Sequence, residues 1–279
     1  MPSLGITCDS CKTEHEEPNV RLARSTEEES ALNASYQQVI SRLDAAKKKT
    51  VRLVEKAIKD NAGLAIAREV EAVKAFMSMP NSLFPTYHQL LAAGLKMSGL
   101  DDIDDRRVSF ESAAFPNIAK EIRFASLTVC ETGCMHFGNT ILILDENLFK
   151  TRTTFLKGNC LVLAKELGVT VDQKFPPGVR STWENVHKLC VIKHGSEVDP
   201  LKTSLQSIQE MLEPDASHLF TFPIKDCVEA NIFGGFPPKN VKKIIYTGDL
   251  DTSTAEGSDW HFLQKQVARE YPSIVCEAA

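Results

Sequence analysis

The stretch Asp226-Cys227-Val228-Glu229-Ala230-Asn231-Ile232-Phe233-Gly234-Gly235, followed by Val241-Lys242-Lys243-Ile244-Ile245-Tyr246, places a carboxylate inside a strand pattern that ends in a glycine turn. Side chains alternate across a strand, so Val228, Ala230 and Ile232 share one face while Cys227, Glu229, Asn231 and Phe233 share the other. The first set suits a core. On the second face, a buried carboxylate without a partner would cost several kcal/mol or give up its charge. Two environments resolve that conflict: a cleft around a polar ligand, or a solvent-facing sheet edge.

The 279 residues, with ordinary apolar and charged fractions, suit one large domain or a domain with an added helical part. A formal charge of −5 argues against a generic nucleic-acid binder, and no zinc-finger or RNA-binding signature accompanies it. No apolar run is long enough for a membrane span, and Met1 to Thr7 lacks the features of a secretory signal. The eight cysteines are scattered, which reads as reduced thiols in a cytosolic setting. Cys8-x-x-Cys11, even with His15 nearby, does not complete a four-ligand zinc set, so no metal is expected.

Residues 1–24 read as a flexible tail, and 25–81 as a helical region opened by the capping box Ser25-Thr26-Glu27-Glu28. Leu32, Tyr36, Val39, Ile40 and Leu43 recur at helical steps, the pattern resumes through Val51, Val54 and Ile58, and Asn61-Ala62-Gly63 breaks it. A second helix is predicted from Ala65 to Met77. Lys47, Lys48, Lys49, Arg52, Lys56 and Lys59 crowd the end of the first, either as a solvated face or as a docking stretch for calmodulin or another acidic partner. From Ser82 onward, helices and strands interleave without strict alternation, which predicts an α+β domain over 82–279. Within it, Asn139 to Asp145 reads as a buried strand and Gly158-Asn159 caps a short helix that Gly168 ends. Ser181-Thr182-Trp183-Glu184 opens a helix towards Lys193, and Asp199-Pro200 opens another that carries Leu201, Leu205, Ile208 and Leu212.

Four patches occur in an order that resembles bacterial ADP-ribosyltransferase toxins and effectors. They are Thr86-Tyr87-His88 with Leu90 to Leu95; Arg123-Phe124-Ala125-Ser126-Leu127 with Met135-His136-Phe137-Gly138-Asn139; Arg152-Thr153-Thr154-Phe155-Leu156-Lys157-Gly158-Asn159; and Val228 to Gly235. Among these enzymes the chain looks nearest to the arginine ADP-riboxanase effectors. The resemblance implies an ADP-ribosyltransferase-like mixed sheet after the helical region, and NAD as co-substrate. It also implies delivery into a host cytoplasm by a non-classical route, with cytoplasmic residence otherwise. The implied reaction transfers ADP-ribose to an arginine of a host target protein, followed in the riboxanases by ring closure with loss of ammonia. It makes Glu229 the catalytic carboxylate and sets His88, Phe124, His136, Phe137, Arg152, Thr153 and Thr154 around NAD.

The chain departs from that pattern in three places. No ankyrin-repeat region follows the fourth patch, the position two before Glu229 is Cys227 rather than an acid, and the usual aspartate after the third-patch glycine is Asn159. The acceptor therefore stays open. A non-catalytic adaptor that binds through the basic helix and a plain NAD glycohydrolase are the competing readings. No Gly-x-Gly-x-x-Gly precedes a helix, which argues against hydride transfer on a dinucleotide-binding fold.

Overall fold

The computed structural model describes residues 6–7, 14–95, 102–134, 137–170, 173–219 and 225–279. A short hairpin of β1 (Ile6–Thr7) and β2 (Glu14–His15) precedes α1 (Pro18–Ala23), so part of the expected tail is ordered backbone. Helix α2 (Thr26–Arg42) starts where the capping box predicts, with Ser25 Oγ accepting from the Glu28 amide at 3.4 Å. It then stops at Leu43. Asp44 accepts from the Lys47 amide at 2.8 Å and so caps a separate α3 (Ala45–Asn61), which splits the single helix expected here.

The larger difference lies at Gly63–Arg68, which forms strand β3 instead of the start of a helix; only α4 (Val70–Met77) is helical. Leu64 and Ile66 enter the main core on one side, while Ala65 and Ala67 pack with Ile141, Ile143 and Ile245 on the other. A strand covered on both faces reads as a continuous apolar run, which periodicity cannot tell from a buried helix.

The remaining elements are α5 (Tyr87–Ala92), α6 (Asp102–Ala114), β4 (Ile122–Thr128), β5 (Thr140–Leu144), β6 (Thr153–Leu156) and α7 (Cys160–Leu167). They continue with β7 (Arg180–Thr182), α8 (Val186–His194), α9 (Leu205–Leu212), β8 (Glu229–Phe233), β9 (Val241–Tyr246), α10 (Ala255–Glu270) and β10 (Val275–Ala278). Strand β7 occupies the first half of the segment read as a capping box, Ser181 and Thr182. Leu201 is solvent-exposed, because α9 begins only after Ser204.

Strands β3 to β10 form one eight-stranded mixed sheet in the order β10-β9-β5-β3-β4-β8-β6-β7, with every neighbour antiparallel except the β9–β10 pair. That β9–α10–β10 crossover explains the parallel pair, since parallel neighbours need a long connection. One face carries the main core, where Val51, Val54, Ile58, Leu189, Leu212, Trp260 and Leu263 meet Leu127, Leu142, Phe155, Val228, Ala230 and Ile232. Residues on both sides of position 82 share this core, so the helical region and the sheet are built as one body.

Candidate functional site

The opposite face is different. Residues of β3, β4 and β8 that point there include Ala65, Ala67, Ser126 and Glu229, most of them too small to fill the space under α6 and α7. A cavity of about 760 Å³ results, lined also by Arg68, Leu83, Arg107, Glu111, Phe124, Cys134, Phe137, Asn159 and Cys160. Its size falls in the range of ligand sites.

Glu229 opens β8 at the floor of this cavity and lies between Ser126 of β4 and Leu156 of β6. The alternation expected from the sequence holds: Val228, Ala230 and Ile232 enter the core, and Glu229 and Asn231 share the other face. Three N–H donors meet the carboxyl group. Asn231 Nδ2 donates to Oε1 at 3.0 Å, while Asn159 Nδ2 at 3.2 Å and the Cys160 amide at 3.3 Å donate to Oε2. Asn159 is also the N-cap of α7, its Oδ1 accepting from the Leu161 amide at 3.0 Å, so one side chain closes the helix and touches the acid.

Burial pushes the Glu229 carboxyl up to about 8 from its usual 4.5; the bonds from Asn231 and Cys160 oppose that rise, Glu111 adds to it and Arg107 counters it. Near pH 7 the acid is therefore mostly neutral. Cys160 and Cys227, buried beside it, have thiols pushed well above the usual range, by burial for Cys160 and by Cys134 together with burial for Cys227.

Opposite Glu229, α6 supplies Arg107 and Glu111. Arg107 Nε donates to Glu111 Oε1 at 2.6 Å, and its guanidinium lies over the Tyr87 ring at 4.5 Å and the Phe124 ring at 6.0 Å. The second Glu111 oxygen meets His88 Nε2 at 2.9 Å. Arg68, at the end of β3, is pushed down to about 10 by burial and by the neighbouring Arg107. Among the described residues no carboxylate pairs with Arg68; its Nη1 donates to the Ala67 carbonyl at 2.7 Å.

Phe124 and Phe137 line the cavity, Phe137 being 40% exposed. His88 sits behind Glu111 and is not part of the wall. His136 falls outside the described residues. The third patch divides: Asn159 at its end lines the cavity, whereas Arg152, Thr153 and Thr154 at its start do not. Arg152 Nη1 donates to the carbonyls of Phe233 and Gly235, both at 3.0 Å, and so braces the turn at Gly234, where φ is +75°. Thr153 Oγ1 donates to the Phe149 carbonyl at 2.9 Å, and Thr154 is covered by Asn19 of α1 at 3.4 Å. These three side chains serve the sheet. Cys8 and Cys11 lie outside the described residues, and no metal-holding cluster occurs among those described.

The sequence reading missed Arg68, Arg107 and Glu111 as site residues. The spacing of Arg107 and Glu111 is that of an ordinary surface ion pair on a helix, and nothing in it marks the pair as buried. Arg68 was hidden by the misassigned helix. No protein-family model matches the chain, and no curated protein matches it.

Proposed function

We propose that the chain uses NAD as a co-substrate and transfers ADP-ribose to an arginine of a host protein. The reading rests on the buried Glu229 carboxyl, held by three N–H donors at the floor of a cavity that also exposes two guanidinium groups. Cleavage of the nicotinamide–ribose bond spreads positive charge over the sugar ring, as in glycoside cleavage, and a carboxylate beside the ring stabilises it. Glu229, held neutral by burial, ionises when the cationic nicotinamide ribose enters, because an opposite charge at close range favours the carboxylate. Arg68 and Arg107 suit the pyrophosphate oxygens, and Phe124 and Phe137 offer aromatic faces to a flat ring.

In the transfer, the bonding pair of the broken bond leaves with nicotinamide, and a nitrogen of the acceptor arginine bonds the ribose carbon and gives up a proton to water. Riboxanation adds ring closure, in which a ribose hydroxyl attacks the guanidine carbon and ammonia departs. Glu111 is the other carboxylate lining the cavity among the described residues, and it stands in for the acid missing at Cys227. Water as acceptor is the second reading. Cys227 favours it, since a thiol held protonated supplies no base for an arginine.

Incubation with NAD and host extract should release nicotinamide, and Glu229→Gln should slow that release by about a hundredfold or more. An unchanged rate in the folded variant overturns the reading. Intact masses of modified proteins separate the acceptors: riboxanation loses ammonia, simple transfer does not, and hydrolysis leaves the proteins unmodified.

A further inference from the structure

Asp226, three residues before the start of β8, is buried, and its Oδ2 meets Nζ of Lys193 of α8, whose side chain is 10% exposed. Its Oδ1 accepts the Asn159 amide at 2.7 Å and the Cys227 amide at 2.8 Å. One carboxylate thus ties together the start of β8, the helix α8 and the turn that opens α7. Gly158 lets that turn close onto the pair: a Cβ there would lie 3.1 Å from Asp226 Oδ1 and 3.3 Å from Lys193 Nζ. The same turn carries both N–H donors that reach Glu229 Oε2, Asn159 Nδ2 and the Cys160 amide.

We propose that the Asp226–Lys193 pair is the positioning device for Glu229, fixing the turn so that its two donors meet the carboxyl group. Its consequence for turnover rests on the reading of Glu229 as the catalytic carboxylate; the positioning itself does not. A buried ion pair is a weak source of net stability, and specifying one arrangement is a better reason to keep it. Here that arrangement is a turn whose donors favour the charged form of an acid that burial drives towards neutrality. The groups facing Glu229 are Glu111 and Arg107 of α6, Cys160 of α7, Cys227 just before its strand and Asn231 on it. On the far side, Lys193 and Asp226 are flanked by the buried His194, whose pKa burial lowers.

The test replaces the pair together, Asp226→Leu with Lys193→Met, so that no lone buried charge remains. Carbon-detected NMR follows the Glu229 carboxyl through its titration without NAD, and circular dichroism checks the fold. The midpoint should rise by about one unit or more, because two donors are withdrawn while burial persists. Nicotinamide release at neutral pH should then fall about tenfold, with the pH profile displaced to higher pH. Gly158→Ala keeps every charge yet presses on the pair, and should move the midpoint in the same direction by less; it decides the matter if the double variant does not fold. Lys193→Arg, which restores a cation, should keep the wild-type midpoint. An unmoved midpoint in a folded double variant or in Gly158→Ala overturns the proposal. Absence of NAD turnover in the wild type defeats the functional reading instead and leaves the titration to judge the positioning.

Discussion

The two faces of strand β8 differ in what they bury. Val228, Ala230 and Ile232 enter a close-packed core, whereas Glu229, one step along the same backbone, borders a cavity floored by Ala65, Ala67 and Ser126. Both sets are buried. The first is inert because each atom has apolar neighbours. The second is poised, because an acid with three donors and, among the described residues, no cation bonded to it gains by admitting a positive ligand. Burial alone thus does not separate a structural side chain from a functional one; the unfilled volume beside it does.

The contrast breaks most visibly on the core face. Ile232→Ala should cost about 2–5 kcal/mol of stability through lost burial and the void left behind, measured by denaturant unfolding. NAD turnover per folded molecule should stay close to wild type. Glu229→Gln should do the reverse, abolishing turnover while stabilising the fold above neutral pH. Below the pKa of the unfolded chain both states are protonated and the acid has no effect. Between there and about 8 the unfolded chain ionises and the folded one resists, so the wild type loses stability as pH rises through this window. Glu229→Gln should escape that loss and melt higher at pH 8, by about 1–3 kcal/mol. Smallest is the effect of Arg68→Met, expected to weaken NAD binding about tenfold, or ~1.4 kcal/mol. Arg152→Met, away from the cavity, should leave NAD affinity unchanged; equal losses from both would erase the distinction between a cavity arginine and a sheet arginine.

The fold was legible where local chemistry acts alone. Ser25 and Asn159 cap helices, Gly168 ends one, and the β8 alternation follows from side-chain period. Strand β3 was not legible, because its run Gly63–Arg68 is covered on both sides and its identity depends on partners far along the chain, β4 and β5. That error also hid Arg68. Glu229, Phe124 and Phe137 were found at the cavity from the sequence, while Glu111 and Arg107 owe their place to how α6 docks on the sheet. Arg152, Thr153 and Thr154 misled for a similar reason. Arg152 next to two threonines has the chemistry of a phosphate site, yet its guanidinium is spent on the carbonyls of Phe233 and Gly235.

The most direct test of the account is calorimetric titration with a non-hydrolysable NAD analogue at pH 7, in buffers of different ionisation enthalpy. A Glu229 carboxyl pushed up to about 8 by burial and charged in the complex predicts release of close to one proton on binding, lost in Glu229→Gln. Binding without proton release, or no binding at all, would contradict it.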